Sequence, residues 1–245
     1  MQEAVSTSKD CYGDPPQLLY DVPSSSGIQT TDKEPKLPLD ILLLTVENDE
    51  FLACYQQLQN PCRWWFDDLG YVYFEEEDES QKEKVKIALL KCYGGSGGPG
   101  GSLISVKNAV TVLRPKAVIS VGACSGLNPA KTKLGDVIVS SRLSTYASKL
   151  VMSDQEQSTG LRTYVSKHFL NVIKNCADGW QAPLKNPEAS QAVEVHCGEI
   201  LSGPEQIQAE CRRDQLAKCN LVAMAVEMEG EGVCHFLCNH IPETS

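Results

Sequence analysis

Ala117-Val118-Ile119-Ser120-Val121-Gly122-Ala123-Cys124-Ser125-Gly126-Leu127 decides the fold. A short apolar run with β-branched residues, ending abruptly in small ones, reads as a buried parallel strand emptying into a tight loop. Small side chains there let backbone N–H groups approach a ligand closely. In open α/β sheets ligands collect at the carboxyl ends of strands. The alternative is an ordinary strand-to-loop turn, and the stretch alone leaves both open.

The surroundings bound the answer. A chain of 245 residues fits one α/β domain plus a tail or, less comfortably, two small domains. With 42% hydrophobic residues and no apolar run near the length of a membrane span, no membrane segment is expected. Met1-Gln2-Glu3-Ala4 has neither a basic region nor an apolar segment, so a cytoplasmic location is expected rather than secretion. A net charge of −10 argues against a nucleic-acid groove. Yet residues 84–135 hold eight Lys or Arg and no Asp or Glu, the kind of window an anion site needs. The 11 cysteines are scattered inside apolar patterns and odd in number, which reads as a reduced protein using Cys as a small hydrophobe. Cys234, His235, Cys238 and His240 crowd seven positions with no second ligand pair at a distance, so no metal site is expected.

Residues 1–35, rich in Ser, Thr, Pro, Asp and Gln, are expected to be a disordered tail, leaving 36–245 as the domain. Residues 39–46 form the first apolar strand; Phe51, Leu52, Tyr55 and Leu58 follow at helical spacing until Asn60-Pro61. Residues 64–74 and 85–93 read as strands around an acidic turn. A glycine run, residues 94–101, then opens a helix over 102–113, and Arg114-Pro115 leads into the deciding strand: a βαβ unit. Further on, 136–141, 193–201 and 221–226 read as strands and 161–173 as a helix. Gly203-Pro204-Glu205 reads as a helix start with proline at its tolerated first position.

Gly95-x-Gly97-x-x-Gly100 matches the dinucleotide fingerprint literally. The acid required about 20 residues on is missing, so no nucleotide cofactor is expected there. Glycine backbone at a helix N-terminus still suits an anion or a ribose, the alternative being a flexible linker. Glu229 stands just past a strand end, and a carboxylate accepts from two adjacent hydroxyls at once. Glu227 and Glu231 would diverge from it in an extended segment and read structurally as a solvated or salt-bridged helix start. Glu50 sits similarly beyond the first strand. Two carboxylates from separate strand ends, over a glycine-lined cleft, suit positioning a sugar and activating water.

At these residues the chain resembles the nucleoside phosphorylase superfamily, in its methylthioadenosine/S-adenosylhomocysteine nucleosidase-like branch. The matching pieces are Val121-Gly-Ala-Cys-Ser-Gly-Leu127, Leu134-Gly-Asp-Val-Ile-Val-Ser140, Ile200-Leu-Ser-Gly-Pro204 and Val226-Glu-Met-Glu-Gly230, in the family's order, together with residues 97–109. The resemblance implies a three-layer αβα fold, a twisted, mixed but mostly parallel sheet flanked by helices, assembled as a homodimer and using no cofactor. It implies cleavage of a purine nucleoside's N-glycosidic bond, with water or phosphate as co-substrate.

Carried across, Glu50 matches the carboxylate that orients or deprotonates water, and Met228 with Glu229 match the ribose-binding pair. Ala123, Cys124, Ser125 and Gly126 match the nucleophile side, with Gly97 among the substrate contacts. Gln206 and Ile207 fall near the base, where relatives often place an aromatic. Where family phosphorylases carry a Ser or Thr and a nearby Arg for phosphate, this chain has Ala123 and Ser120, which favours hydrolysis. Nothing matches the family's last strand, whose Asp protonates the leaving purine, so the resemblance implies a C-terminally truncated domain of uncertain activity. The rival readings are a catalytically impaired nucleoside-binding or signalling module and a phosphorylase.

Overall fold

The computed structural model of the protein describes residues 17–19, 28–75, 85–151, 156–186, 188 and 192–240. Five parallel or antiparallel partners build outward from β2 (Ile41–Thr45). Its neighbours are β5 (Ile87–Lys91) and β6 (Ala117–Ser120), both parallel, with Leu42 level with Ala88 on one side and Val118 on the other. Beyond β5 come β4 (Gly70–Glu75) and β3 (Pro61–Phe66), an antiparallel hairpin, and then β1 (Gln29–Thr30), parallel to β3. The expected single strand over residues 64–74 is thus a hairpin: Gly70, at φ 75°, makes the turn that an unbroken strand cannot.

The second sheet runs β11 (Arg162–Tyr164), β8 (Val137–Thr145), β12 (Val195–Ser202), β13 (Ala223–Glu227), β7 (Ser125–Gly126). β8, β12 and β13 are parallel, with antiparallel edges. A separate ribbon pairs β9 (Lys149–Val151) with β10 (Glu156–Ser158). The described helices are α1 (Asn48–Tyr55), α2 (Ser102–Leu113), α3 (Lys167–Lys174), α4 (Glu210–Cys219) and α5 (Gly230–His240).

Mixed sheets flanked by helices bear out the expected α/β class. Strand alternation explains the layering. Leu42, Leu44, Ala88 and Leu90 face one way, into a core with Val106, Ala109 and Leu113 of α2 and Val233 of α5. Leu89 faces the other way, onto Phe51 and Leu52 of α1. Leu201, Ala223 and Val226 of the second sheet pack with Leu127, Tyr146 and Leu216 of α4.

Three expectations are corrected. The helix expected over 161–173 begins only at Lys167, where the Ser166 hydroxyl accepts the His168 N–H at 3.3 Å; Arg162–Tyr164 is a strand instead. No helix starts at Pro204, because α4 begins at Glu210. The segment between is held by Arg212, which donates to both Glu205 carboxylate oxygens at 2.7 Å. The stretch 117–120, expected to be buried, lies at a sheet edge, with β2 as its described partner, and Ile119 keeps 39% exposure. The expected tail lies largely outside the described residues; within it, Gln29–Thr30 pair with β3 and Leu18 bridges Leu184. No helix among the described residues is long and apolar enough to cross a membrane.

Candidate active site

The loop after β6, the end of β13 and the start of α1 converge on one pocket. Its walls include Val46 and Glu50, the run 120–124, Ile138, Ser140 and Leu143 of β8, Ile200 of β12, and Glu227, Glu229 and Gly230. The aliphatic residues make it largely apolar, and its charged groups are three glutamates, with no Lys or Arg among its described lining residues. The acid-free window therefore does not build an anion site here: its lysines lie elsewhere, Lys116 on Asp40 at 2.6 Å and Lys131 on the Leu221 carbonyl at 2.9 Å.

Glu50 is placed by the chain's turn from β2 into α1. Its Oε2 accepts N–H groups from Val46 at 3.1 Å and Glu47 at 2.9 Å. Oε1 accepts the N–H of Ala123 at 2.7 Å, across the sheet. The close approach depends on Gly122, where a Cβ would stand 3.1 Å from Glu50 Oε1. The backbone donor expected to serve a ligand at Ala123 thus holds the carboxylate instead. Two carboxylate oxygens offer about four acceptor positions. One on Oε1 remains for a water or hydroxyl.

Glu229 follows β13, on the turn into α5. Gly95 donates its N–H to Glu229 Oε1 at 3.0 Å, so the glycine run does reach the site, through this one bond. The run does not offer the α2 N-terminus to an anion, because its own carbonyls take those donors: Ser102 N–H bonds Gly95 O and Leu103 N–H bonds Ser96 O. Ser102 Oγ donates to the Glu229 carbonyl at 2.6 Å, fixing the backbone of the turn.

Of the residues expected at the site, Glu50, Ala123, Cys124 and Glu229 share the pocket. Gly97 is exposed on the glycine run. Ser125 and Gly126 are spent on β7, paired with Val226 and Ala225 of β13. Met228 is half-buried beside Glu229 but off the pocket wall. Gln206 and Ile207 line a separate depression with Glu205 and Arg212. The side chains of Cys238 and His240 lie outside the described residues.

Glu227 is the pocket residue that sequence reasoning set aside. The expected divergence from Glu229 does not occur: residues two apart on an extended strand share a face, and Glu227 at the end of β13 and Glu229 just past it both meet the pocket. Its Oε2 accepts the N–H groups of Glu229 and Gly230, both at 2.8 Å. Burial pushes its carboxyl above the usual range, outweighing the Ser202 hydroxyl and those two N–H groups, and Glu229's charge adds to the rise. Enclosure of the Cys124 thiol in the pocket wall likewise raises it. The Cys92 thiol, deeper in the core, is pushed up to about 11, chiefly by burial. Neither cysteine is an activated nucleophile.

Comparison with known proteins follows the same lines. The sequence pattern of the phosphorylase superfamily matches residues 83–240. A death domain-containing ATP nucleosidase of Amphimedon queenslandica is 28% identical over 152 residues, 56% of this chain and 28% of that protein. The match thus spans about a quarter of that relative's length. The 5'-methylthioadenosine/S-adenosylhomocysteine nucleosidase of Colwellia psychrerythraea 34H, solved with adenine, superposes with TM-score 0.64 at 14% identity, covering 83% of this chain and 78% of that one. Futalosine hydrolase of Helicobacter pylori strain 26695 gives TM-score 0.62 at 15% identity, covering 82% and 79%. At these identities the structural likeness is one of fold.

Proposed function

Since the chain belongs to the phosphorylase superfamily, we propose that it cleaves the N-glycosidic bond of a purine nucleoside or nucleotide, with water as the nucleophile. The observation that carries this is the placement of Glu50 and Glu229 on one largely apolar pocket, each oriented by a backbone N–H from a distant loop.

Glu229 holds the ribose hydroxyls. Gly95 occupies one acceptor position on Oε1, leaving Oε2 and the second lone pair for a diol. Glu50 receives the water on the remaining acceptor position of Oε1 and directs it at C1′ as the base departs. The transition state carries oxocarbenium character, as in other glycosidic cleavages. Carboxylates beside the ring stabilise that positive charge. A pocket lined by glutamates, with no Lys or Arg among its described lining residues, suits a neutral nucleophile better than a phosphate dianion.

The superfamily's nucleosidases supply the substrate class. An ATP nucleosidase and a methylthioadenosine/S-adenosylhomocysteine nucleosidase among the relatives support trying adenine compounds first: methylthioadenosine, S-adenosylhomocysteine and ATP. The test is chromatographic release of adenine from each in phosphate-free buffer and again with phosphate. Adenine release without phosphate is the expected result. Release that needs phosphate would convert the reading to phosphorolysis; binding with no release would make the chain a nucleoside-binding module.

A further inference from the structure

Glu227 holds the turn that carries Glu229, and it does so with half of its carboxyl group unused. Oε2 gathers two successive backbone donors, Glu229 N–H and Gly230 N–H. These are among the first N–H groups of α5, which no residue further back in the helix can satisfy. The next donor, Glu231 N–H, goes to Ser202 Oγ at 2.7 Å, so β12 and β13 together fix the start of the helix. Oε1, by contrast, is buried and meets no donor at hydrogen-bond geometry among the described residues, the Ser202 hydroxyl being the one neighbouring side chain that lowers the carboxyl's pKa. Gly230 crowds it: a Cβ there would stand 2.7 Å from Oε1.

An ionised carboxylate with one oxygen buried and unpartnered is costly, whereas a carboxylic acid carrying its proton on that oxygen is far less so. The groups facing Glu227 do not reverse this. From β12 comes the Ser202 hydroxyl, and from the segment after β8 comes Tyr146. The loop after β6 presents the Cys124 thiol. On Glu227's own turn stands Glu229, in the first turn of α5 stands Glu231, and across the pocket from α1 stands Glu50, all acidic. Among the described lining residues there is no cation to hold a second negative charge beside Glu229.

We propose that Glu227 is the positioning residue for Glu229: as a neutral acid it gathers the two N–H groups on one oxygen and spares Glu229 a second negative charge beside it in the pocket. The inference rests on the reading of Glu229 as the residue that holds the ribose diol. Ionising Glu227 would place a second charge two residues from Glu229 and weaken its grip on the hydroxyls. Its raised pKa points the same way. Glutamine reproduces the neutral form, since its amide oxygen can accept both N–H groups and its NH₂ can occupy the place of the protonated oxygen.

The test compares wild type, Glu227→Gln and Glu227→Ala, with methylthioadenosine as the probe, measuring KM and kcat separately from about pH 5 to about pH 8. A ligand-free infrared spectrum, which needs no turnover, reads the carboxyl C=O band. Wild type is expected to show a neutral-carboxyl band that Glu227→Gln removes, and a KM that rises with pH as Glu227 ionises. Glu227→Gln should keep the low-pH KM across the range, with kcat within about twofold. Glu227→Ala, leaving two buried N–H groups unpaired, should raise KM about tenfold or more. If Glu227→Gln is as impaired as Glu227→Ala at low pH, or the band is absent from wild type, the inference is overturned. A wild type that shows the band yet leaves methylthioadenosine unbound and intact overturns the nucleoside reading, and with it the role at the diol, while establishing the neutral carboxyl.

Discussion

Glu229 Oε1 accepts the N–H of Gly95 at 3.0 Å, joining residues 134 positions apart in the chain. Through that bond the glycine run between β5 and α2 and the turn between β13 and α5 become one structure. With Ser102 Oγ on the Glu229 carbonyl at 2.6 Å, both ends of residue 229 are fixed by the same short segment of chain. A carboxylate held this way keeps its orientation before any ligand arrives, which is what a hydroxyl-binding group needs.

The mirror arrangement at Glu50 predicts a joint loss of stability and activity. Three backbone N–H groups converge on its carboxylate. Glutamine can serve them with only one acceptor oxygen and turns its NH₂ toward a donor. Glu50→Gln is expected to lower unfolding stability by about 1–3 kcal/mol. Base release should fall by more than binding does, since Glu50 is assigned to the water. Denaturant unfolding, together with kcat and KM, checks both halves.

Ser102 and Gly232 predict a different pattern, in which packing disturbs the site from behind. A Cβ on Gly232 would overlap Ser102 Oγ and come within 2.5 Å of Leu103 N, so α5 has to move off the start of α2. Gly232→Ala is expected to cost about 1–3 kcal/mol and to raise KM by disturbing Glu229. Ser102→Ala removes only the bond to the Glu229 carbonyl and should cost about 1 kcal/mol. Thermal melts of the two variants, ranked in that order, test the account.

The acid limb of stability is expected to depend on Asp136. Burial pushes its carboxyl up, but the N–H groups of Glu194 and Lys133 and the His196 ring outweigh burial and hold it below its usual value. Those bonds measure 3.0, 2.8 and 2.8 Å. A carboxyl whose pKa is lower folded than unfolded adds stability above its unfolded pKa, and loses it as pH falls through the folded one. Asp136→Asn should therefore be less stable at neutral pH and lose less on acidification. Chemical unfolding across the acid range shows whether the two curves converge.

Much of this was legible in the sequence where one local signal had no competitor. Residues 102–113 became α2 with the expected bounds, because glycines precede it and Arg114, at φ 49°, and Pro115 end it. The stretch 161–173 failed because Leu161 and Val165 satisfy a helical period and a strand alternation equally, and pairing with β8 decided the matter. Gly203-Pro204 carried a sound helix-start signal that the Glu205–Arg212 pairing overrode. At the site, Glu50 and Glu229 stood out because each follows an apolar strand. Glu227 did not, although residues two apart on an extended strand share a face, and Gln206 and Ile207 were placed by homology rather than by any local pattern. The glycine run matched an anion-binding motif, yet its carbonyls turned inward onto α2, a choice of peptide orientation that composition does not encode.

The most direct test of the central claim, that Glu229 and Glu50 serve one ribose-binding pocket, is adenine release from methylthioadenosine by wild type and Glu229→Ala under identical phosphate-free conditions. Wild type is expected to release adenine, and Glu229→Ala to lose about 10- to 100-fold in kcat/KM while remaining folded. A folded Glu229→Ala that cleaves as fast as wild type would contradict the account.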